Sequence, residues 1–184
     1  MGQSSSVAKP PRILVVGLDG SGKTCLLRRL AGQEIALLPP THGYQVVRVA
    51  YAGHGCELVD VGGSEELRRY WSLYFDGLAG IVFVLDACDK RRLEEAGVEL
   101  NRLLQEPKLT RVPTLILANK QDLLDVLRSQ KIVDALNLGA VRDREWHVQE
   151  CSALDRRGIN EGFSWVLGQA TRRLKPARAE LEST

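Results

Sequence analysis

The chain has 184 residues, 44% of them hydrophobic and 26% charged, with a net charge of +2. This is enough for one domain with a full core, and bulk charge implies neither nucleic acid nor an acidic membrane as a partner. No apolar run approaches the roughly 18 residues of a membrane span, and the polar first ten residues carry no secretory pattern.

Residues 1–11, MGQSSSVAKPP, read as a flexible polar segment. Gly2 followed by Ser6 fits the N-myristoylation pattern. A single acyl chain holds a membrane only weakly, and here a nearby cysteine, a basic cluster beyond Lys9 and Arg12, and an amphipathic helix are all missing. Cys25, Cys56, Cys88 and Cys151 stand at no metal-ligand spacing and suit a reducing, cytoplasmic setting as small core or loop residues.

Ile13-Leu14-Val15-Val16 has strand character and leads into Gly17-Leu18-Asp19-Gly20-Ser21-Gly22-Lys23-Thr24, followed by the helix-forming Cys25 to Leu30. A G-x-x-x-x-G-K-T stretch between a strand and a helix is a phosphate-binding loop. Gly17 and Gly22 let successive N–H groups, through Cys25, turn toward phosphate oxygens at a helix N-terminus. Lys23 reaches the β- and γ-phosphates, and the Thr24 hydroxyl is a Mg²⁺ ligand.

Glu34 to Gly43 is an irregular loop around Pro39-Pro40-Thr41-His42-Gly43. Thr41 is the loop hydroxyl that could close on Mg²⁺ and the γ-phosphate, and His42 reads as an exposed neighbour. Tyr44 to Tyr51 and Glu57 to Val61 read as a hairpin that delivers Asp60 to the metal shell. Gly62 and Gly63 can bring a backbone N–H to the γ-phosphate, and Ser64 can cap a helix that starts there.

Ala79 to Leu85 and Val112 to Ala118 are continuous apolar runs, as in strands buried on both faces. Between them, Asp89 to Gln105 is a helix turning Leu93, Ala96, Leu100, Leu103 and Leu104 inward. The second run delivers Asn119-Lys120-Gln121-Asp122. Asp122 can accept from the two N–H groups on guanine's edge, which adenine cannot match, so discrimination should be strong. Asn119 can bond N7 and nearby backbone, and the Lys120 stem can cover the ring. A helix over 125–137 and a strand over 145–150 follow, and then Ser152 and Ala153, whose backbone can meet guanine O6. The closing helix runs from Asn160 to Leu174 with Trp165 in the core, and residues 176–184 form a polar tail.

Strands alternating with helices predict an α/β fold: a mostly parallel six-stranded sheet, one antiparallel edge strand, and helices on both faces. The domain spans 12–175.

GLDGSGKT, the P-T-x-G-Y run at Pro40 to Tyr44, D-V-G-G and N-K-Q-D resemble the Arf/Arl branch of the Ras-type small GTPases, over roughly residues 12–174. LILANKQDLL and LNLGAVRDREWHVQECSAL are similar to the third Arl type. The resemblance implies a monomeric GTP/GDP switch with Mg²⁺, read through residues 35–75 by effectors, exchange factors and GTPase-activating proteins. By analogy it also implies trafficking of lipidated cargo toward cilia or flagella. Three departures stand out. Ser64 replaces the catalytic glutamine. Val59 replaces the tryptophan of an aromatic patch that Tyr44 and Tyr74 retain. The N-terminal segment lacks the amphipathic helix. Slow hydrolysis is therefore expected. The alternatives are a GTP-binding module without turnover and, from another class, an ATP-dependent small-molecule kinase, against which Asn119 to Asp122 argue.

Overall fold

The computed structural model describes residues 9–35, 41–51 and 54–181. Strands are β1 (Arg12–Val16), β2 (Tyr44–Tyr51), β3 (His54–Val61), β4 (Leu78–Asp86), β5 (Thr114–Asn119) and β6 (Trp146–Glu150). Helices are α1 (Lys23–Leu30), α2 (Glu65–Arg68), α3 (Leu93–Gln105), α4 (Ser129–Ala135) and α5 (Ile159–Leu181). The six strands lie in the order β2-β3-β1-β4-β5-β6. Among the described residues only the β2–β3 pair is antiparallel.

Both faces of the sheet are buried, which is why the central strands read as unbroken apolar runs. Side chains alternate across a strand. In β1, Leu14 and Val16 join one apolar layer with Leu100 and Leu103 of α3, Trp71 and Phe75. Ile13 and Val15 join the other, with Leu26 and Leu27 of α1 and Phe163 and Val166 of α5. The parallel strands therefore end on one edge. Val16, Asp60, Asp86, Asn119 and Glu150 stand at or near those ends, and the loops beyond them build the site.

The helices after Asp89, over 125–137 and at the end of the chain differ most from expectation. The helix expected from Asp89 opens with a 3₁₀ turn, Lys90–Arg92, before α3. The helix expected over 125–137 is confined to Ser129–Ala135. Asp125 and Asn137 both take positive φ, so the chain turns at each end instead of continuing helically. The last helix continues to Leu181 instead of stopping at Leu174. Trp165 is half-buried, not a core residue. It tilts over His147 with ring centroids 5.4 Å apart, beside β6, the edge strand of the described sheet.

Candidate functional site

The loop after β1 wraps the start of α1. Lys23 folds back over it, donating to the Gly17 and Leu18 carbonyls at 2.8 Å each. Burial lowers its pKa from 10.5 to about 8, opposed by the charges of Asp60 and Asp19. At Gly22 a Cβ would lie 2.4 Å from Asn119 Nδ2, so this glycine lets the N-K-Q-D loop approach the phosphate loop.

Three oxygens converge at the foot of α1. Thr24 Oγ1 donates to Asp60 Oδ2 at 2.8 Å and lies 2.9 Å from Thr41 Oγ1. A hydroxyl has one proton, so Thr41 is the donor in that second bond. Gln45 Nε2 also donates to Asp60 Oδ2, at 2.7 Å. Gln45 was not singled out in the sequence, although the antiparallel register places it opposite Asp60. Burial raises the Asp60 pKa, and the Gln45 and Thr24 hydrogen bonds oppose it.

The other carboxylate oxygen, Asp60 Oδ1, is buried without a hydrogen-bond partner. A buried acceptor left empty is costly, and here it stands among hard oxygen donors. Two hydroxyls and a carboxylate around an unsatisfied oxygen fit a Mg²⁺ that keeps the rest of its shell in water and phosphate oxygens.

The segment after β3 is pressed onto the phosphate loop. Asp19 N–H donates to the Gly63 carbonyl at 3.1 Å, and Gly62 N–H to the Gly43 carbonyl at 2.9 Å. A Cβ on Gly63 would sit 2.2 Å from the Gly17 carbonyl oxygen, so no larger residue fits this approach. Ser64 is at the N-cap position of α2, but its hydroxyl makes no capping bond. With His42, Asp19, Gly20 and Thr41 it lines a cleft of about 540 Å³ over the phosphate loop. Two arginines that the sequence did not single out brace this end. Arg68 Nε donates to the Gly63 carbonyl at 2.8 Å, and its guanidinium pairs with Glu95 at 2.7 Å. Arg92 donates to the Asp19 carbonyl and carboxylate at 2.8 and 3.1 Å.

At the base end, Asn119 is buried with both ends of its amide engaged. Nδ2 donates to the Ser21 carbonyl at 2.8 Å, and Oδ1 accepts the Ala153 N–H at 3.1 Å. It joins the phosphate loop to the 152–154 loop, and the Ala153 N–H expected to face guanine is donated to Asn119. Ser152 Oγ donates to Asp122 Oδ1 and aims that carboxylate. Lys120 Nζ pairs with Asp86 at 2.6 Å, which anchors its stem. The Ser21 hydroxyl is buried without a hydrogen-bond partner.

Tyr44 and Tyr74 meet with ring centroids 5.0 Å apart. Val59 is 1% exposed in the core, so it leaves no group beside them at the surface.

A glycine loop at one strand end, a lysine folded over it and an N-K-Q-D loop tied to it by Asn119 define a P-loop protein of the small GTPase fold. The chain matches the ADP-ribosylation factor family over residues 1–170 and belongs to it. It is 45% identical over 167 residues to ADP-ribosylation factor-like protein 3 of Caenorhabditis elegans, covering 90% of this chain and 89% of that protein. It is 42% identical over 158 residues to the Chlamydomonas reinhardtii protein of the same name, covering 86% and 89%. Among solved structures, the Arl6 BBS3 small GTPase from Trypanosoma brucei with bound nucleotide analogue GppNp aligns with a TM-score of 0.82 at 27% identity, over 89% of this chain and 98% of that one. The protein is an Arf/Arl-type guanine-nucleotide-binding switch. Among the described residues no helix is long and apolar enough to cross a membrane.

Proposed function

We propose that this protein is a Mg²⁺-dependent GTP/GDP switch that binds nucleotide normally and hydrolyses GTP slowly. The observation that carries this reading is the Thr24–Thr41–Asp60 cluster with its unpartnered carboxylate oxygen. Thr24, Thr41 and Asp60 would hold the metal, which when bound supplies positive charge for the phosphates. Lys23 and the backbone from Gly17 to Cys25 bind the phosphates. Asp122, Asn119, Lys120, Ser152 and Ala153 position the base. Thr41 and Gly63, each pinned to the phosphate-loop side, close over the γ-phosphate end.

What is missing is a group to orient water. Ser64 is shorter than glutamine by two heavy-atom positions, so its hydroxyl falls short of the water a glutamine would reach. Small GTPases with the glutamine manage only about 10⁻⁴ s⁻¹ alone, and this one is slower still. A GTPase-activating partner would supply an arginine and restore turnover. Effectors, exchange factors and that partner act through residues 35–75, with the Tyr44–Tyr74 pair and the exposed Tyr70 and Leu73 as apolar contacts. The cargo class is lipidated protein in transport. Residues 12–175 act as a monomeric domain, and Gly2 is myristoylated for weak, reversible membrane contact; Gly2 lies outside the described residues.

The test is to identify the nucleotide that copurifies, then to load GTP and follow one turnover with and without Mg²⁺. Copurified adenine nucleotide, or affinity indifferent to Mg²⁺, would overturn the reading.

A further inference from the structure

The C-terminal end of α1 carries a second connection to the site. Arg29, in its last turn, has a side chain only 11% exposed. Its guanidinium spans three groups: Nε donates to the Ala153 carbonyl at 3.1 Å, NH2 to the Leu154 carbonyl at 3.5 Å, and NH1 to Glu34 Oε2 at 3.3 Å. Arg156 reaches the other Glu34 oxygen at 3.4 Å. Ala153 is thus held on both sides, with its N–H on Asn119 and its carbonyl on Arg29.

The links form a closed path. Ser21 of the phosphate loop bonds Asn119, Asn119 bonds Ala153, Ala153 bonds Arg29, and Arg29 stands on the helix that begins at Lys23. One rigid helix therefore fixes the phosphates at its first turn and the base loop at its last. Charge-assisted hydrogen bonds to backbone carbonyls are the stronger kind, and a guanidinium fork sets direction as well as distance. Glu34, 83% exposed, adds little by itself.

We infer that Arg29 is a positioning residue for guanine: by clamping Ala153 and Leu154 it holds the base loop closed and sets how slowly nucleotide leaves. This rests on the reading of Asp122 and residues 152–154 as the base site. The clamp touches no phosphate or metal group, so it governs release and not bond cleavage.

The experiment loads the full chain with a fluorescent guanosine diphosphate at fixed Mg²⁺ and follows release into excess unlabelled nucleotide. Arg29→Ala should release about tenfold faster than wild type. Arg29→Lys should recover part of that, because one ammonium can reach one carbonyl but not two. Arg28→Ala is the control. Arg28 lines the groove along β2, away from the base loop, and its removal should leave release unchanged. Wild-type release from Arg29→Ala, or equal acceleration by Arg28→Ala and Arg29→Ala, overturns the proposal. If Arg29→Ala does not fold, Arg29→Lys and Arg29→Gln decide it by the same rate, Gln being the faster. Asp122→Asn separates the two levels. If it leaves guanosine preference intact, the base-site reading has failed. If it shifts preference while the Arg29 variants release normally, only the clamp has failed.

Discussion

The two ends of the nucleotide cleft are built to different degrees of completeness. At the base end the expected residues are already connected to one another: Asn119 joins two loops and takes the Ala153 N–H, Ser152 aims Asp122, and Asp86 anchors Lys120. At the other end Thr41, Asp60 and Gly63 are closed on the phosphate loop, and Ser64, which on the proposed function stands where a water-orienting glutamine would, makes no side-chain capping bond. On the proposed function, affinity and turnover would rest on separate residues in one cleft.

The sharpest way to break this contrast is at the base end. Asp122→Asn removes two charge-assisted acceptances, each about 1.5–3 kcal/mol. Guanosine affinity should fall on the order of a thousandfold and xanthosine affinity should rise, as competition binding would read. An unchanged preference would sink the base assignment.

Next in size is Gly63→Ala. Its Cβ would collide with the Gly17 carbonyl oxygen, and overpacking of this kind costs about 1–3 kcal/mol. Triphosphate binding should weaken about 10–100-fold with diphosphate binding little affected if, as the proposed function has it, Gly63 closes on the phosphate loop for the triphosphate. Equal losses for both nucleotides in calorimetry would contradict the closed role of Gly63.

A pH effect separates Lys23 from both. Burial lowers its pKa to about 8, and the negative charge of bound phosphates would oppose that shift. Binding therefore takes up a proton once Lys23 has titrated. Affinity should be flat below pH 8 and fall, approaching tenfold per unit, above it. A flat profile from pH 7 to 9 would show that Lys23 does not change protonation on binding.

At the other end, Ser64→Gln should raise single-turnover hydrolysis several-fold alone, and more with a partner that donates an arginine. Ser64 makes no side-chain capping bond, so the replacement sacrifices no helix cap. A wild-type rate equal to that of the variant would mean another group positions the water. The smallest effect is outside the cleft. Gly2→Ala should abolish an anchor whose association constant is only about 10⁴ M⁻¹, measured by flotation with vesicles. Identical bound fractions would discard the acylation.

The spacing of glycines, lysine, threonine and acids along the chain sufficed to point to the family and to the alternating fold, and the structure brings the phosphate loop, Asp60 and the N-K-Q-D loop to one edge of the sheet. Those features are local: a loop that curls around phosphate needs its glycines in order, and a strand buried on both faces must be apolar throughout. Helix ends were less legible, because the turns at Asp125 and Asn137 depend on positive φ at residues that tolerate it without announcing it. Tertiary structure alone decided what joins the loops. Gln45 meets Asp60 through hairpin register, Arg68 and Arg92 brace the phosphate loop from two other helical segments, and Arg29 lies 124 residues from the carbonyl it holds. Such partners share no local pattern. A guanidinium finds a carbonyl only after the sheet has brought both to the same edge, and that placement is a property of the packed fold.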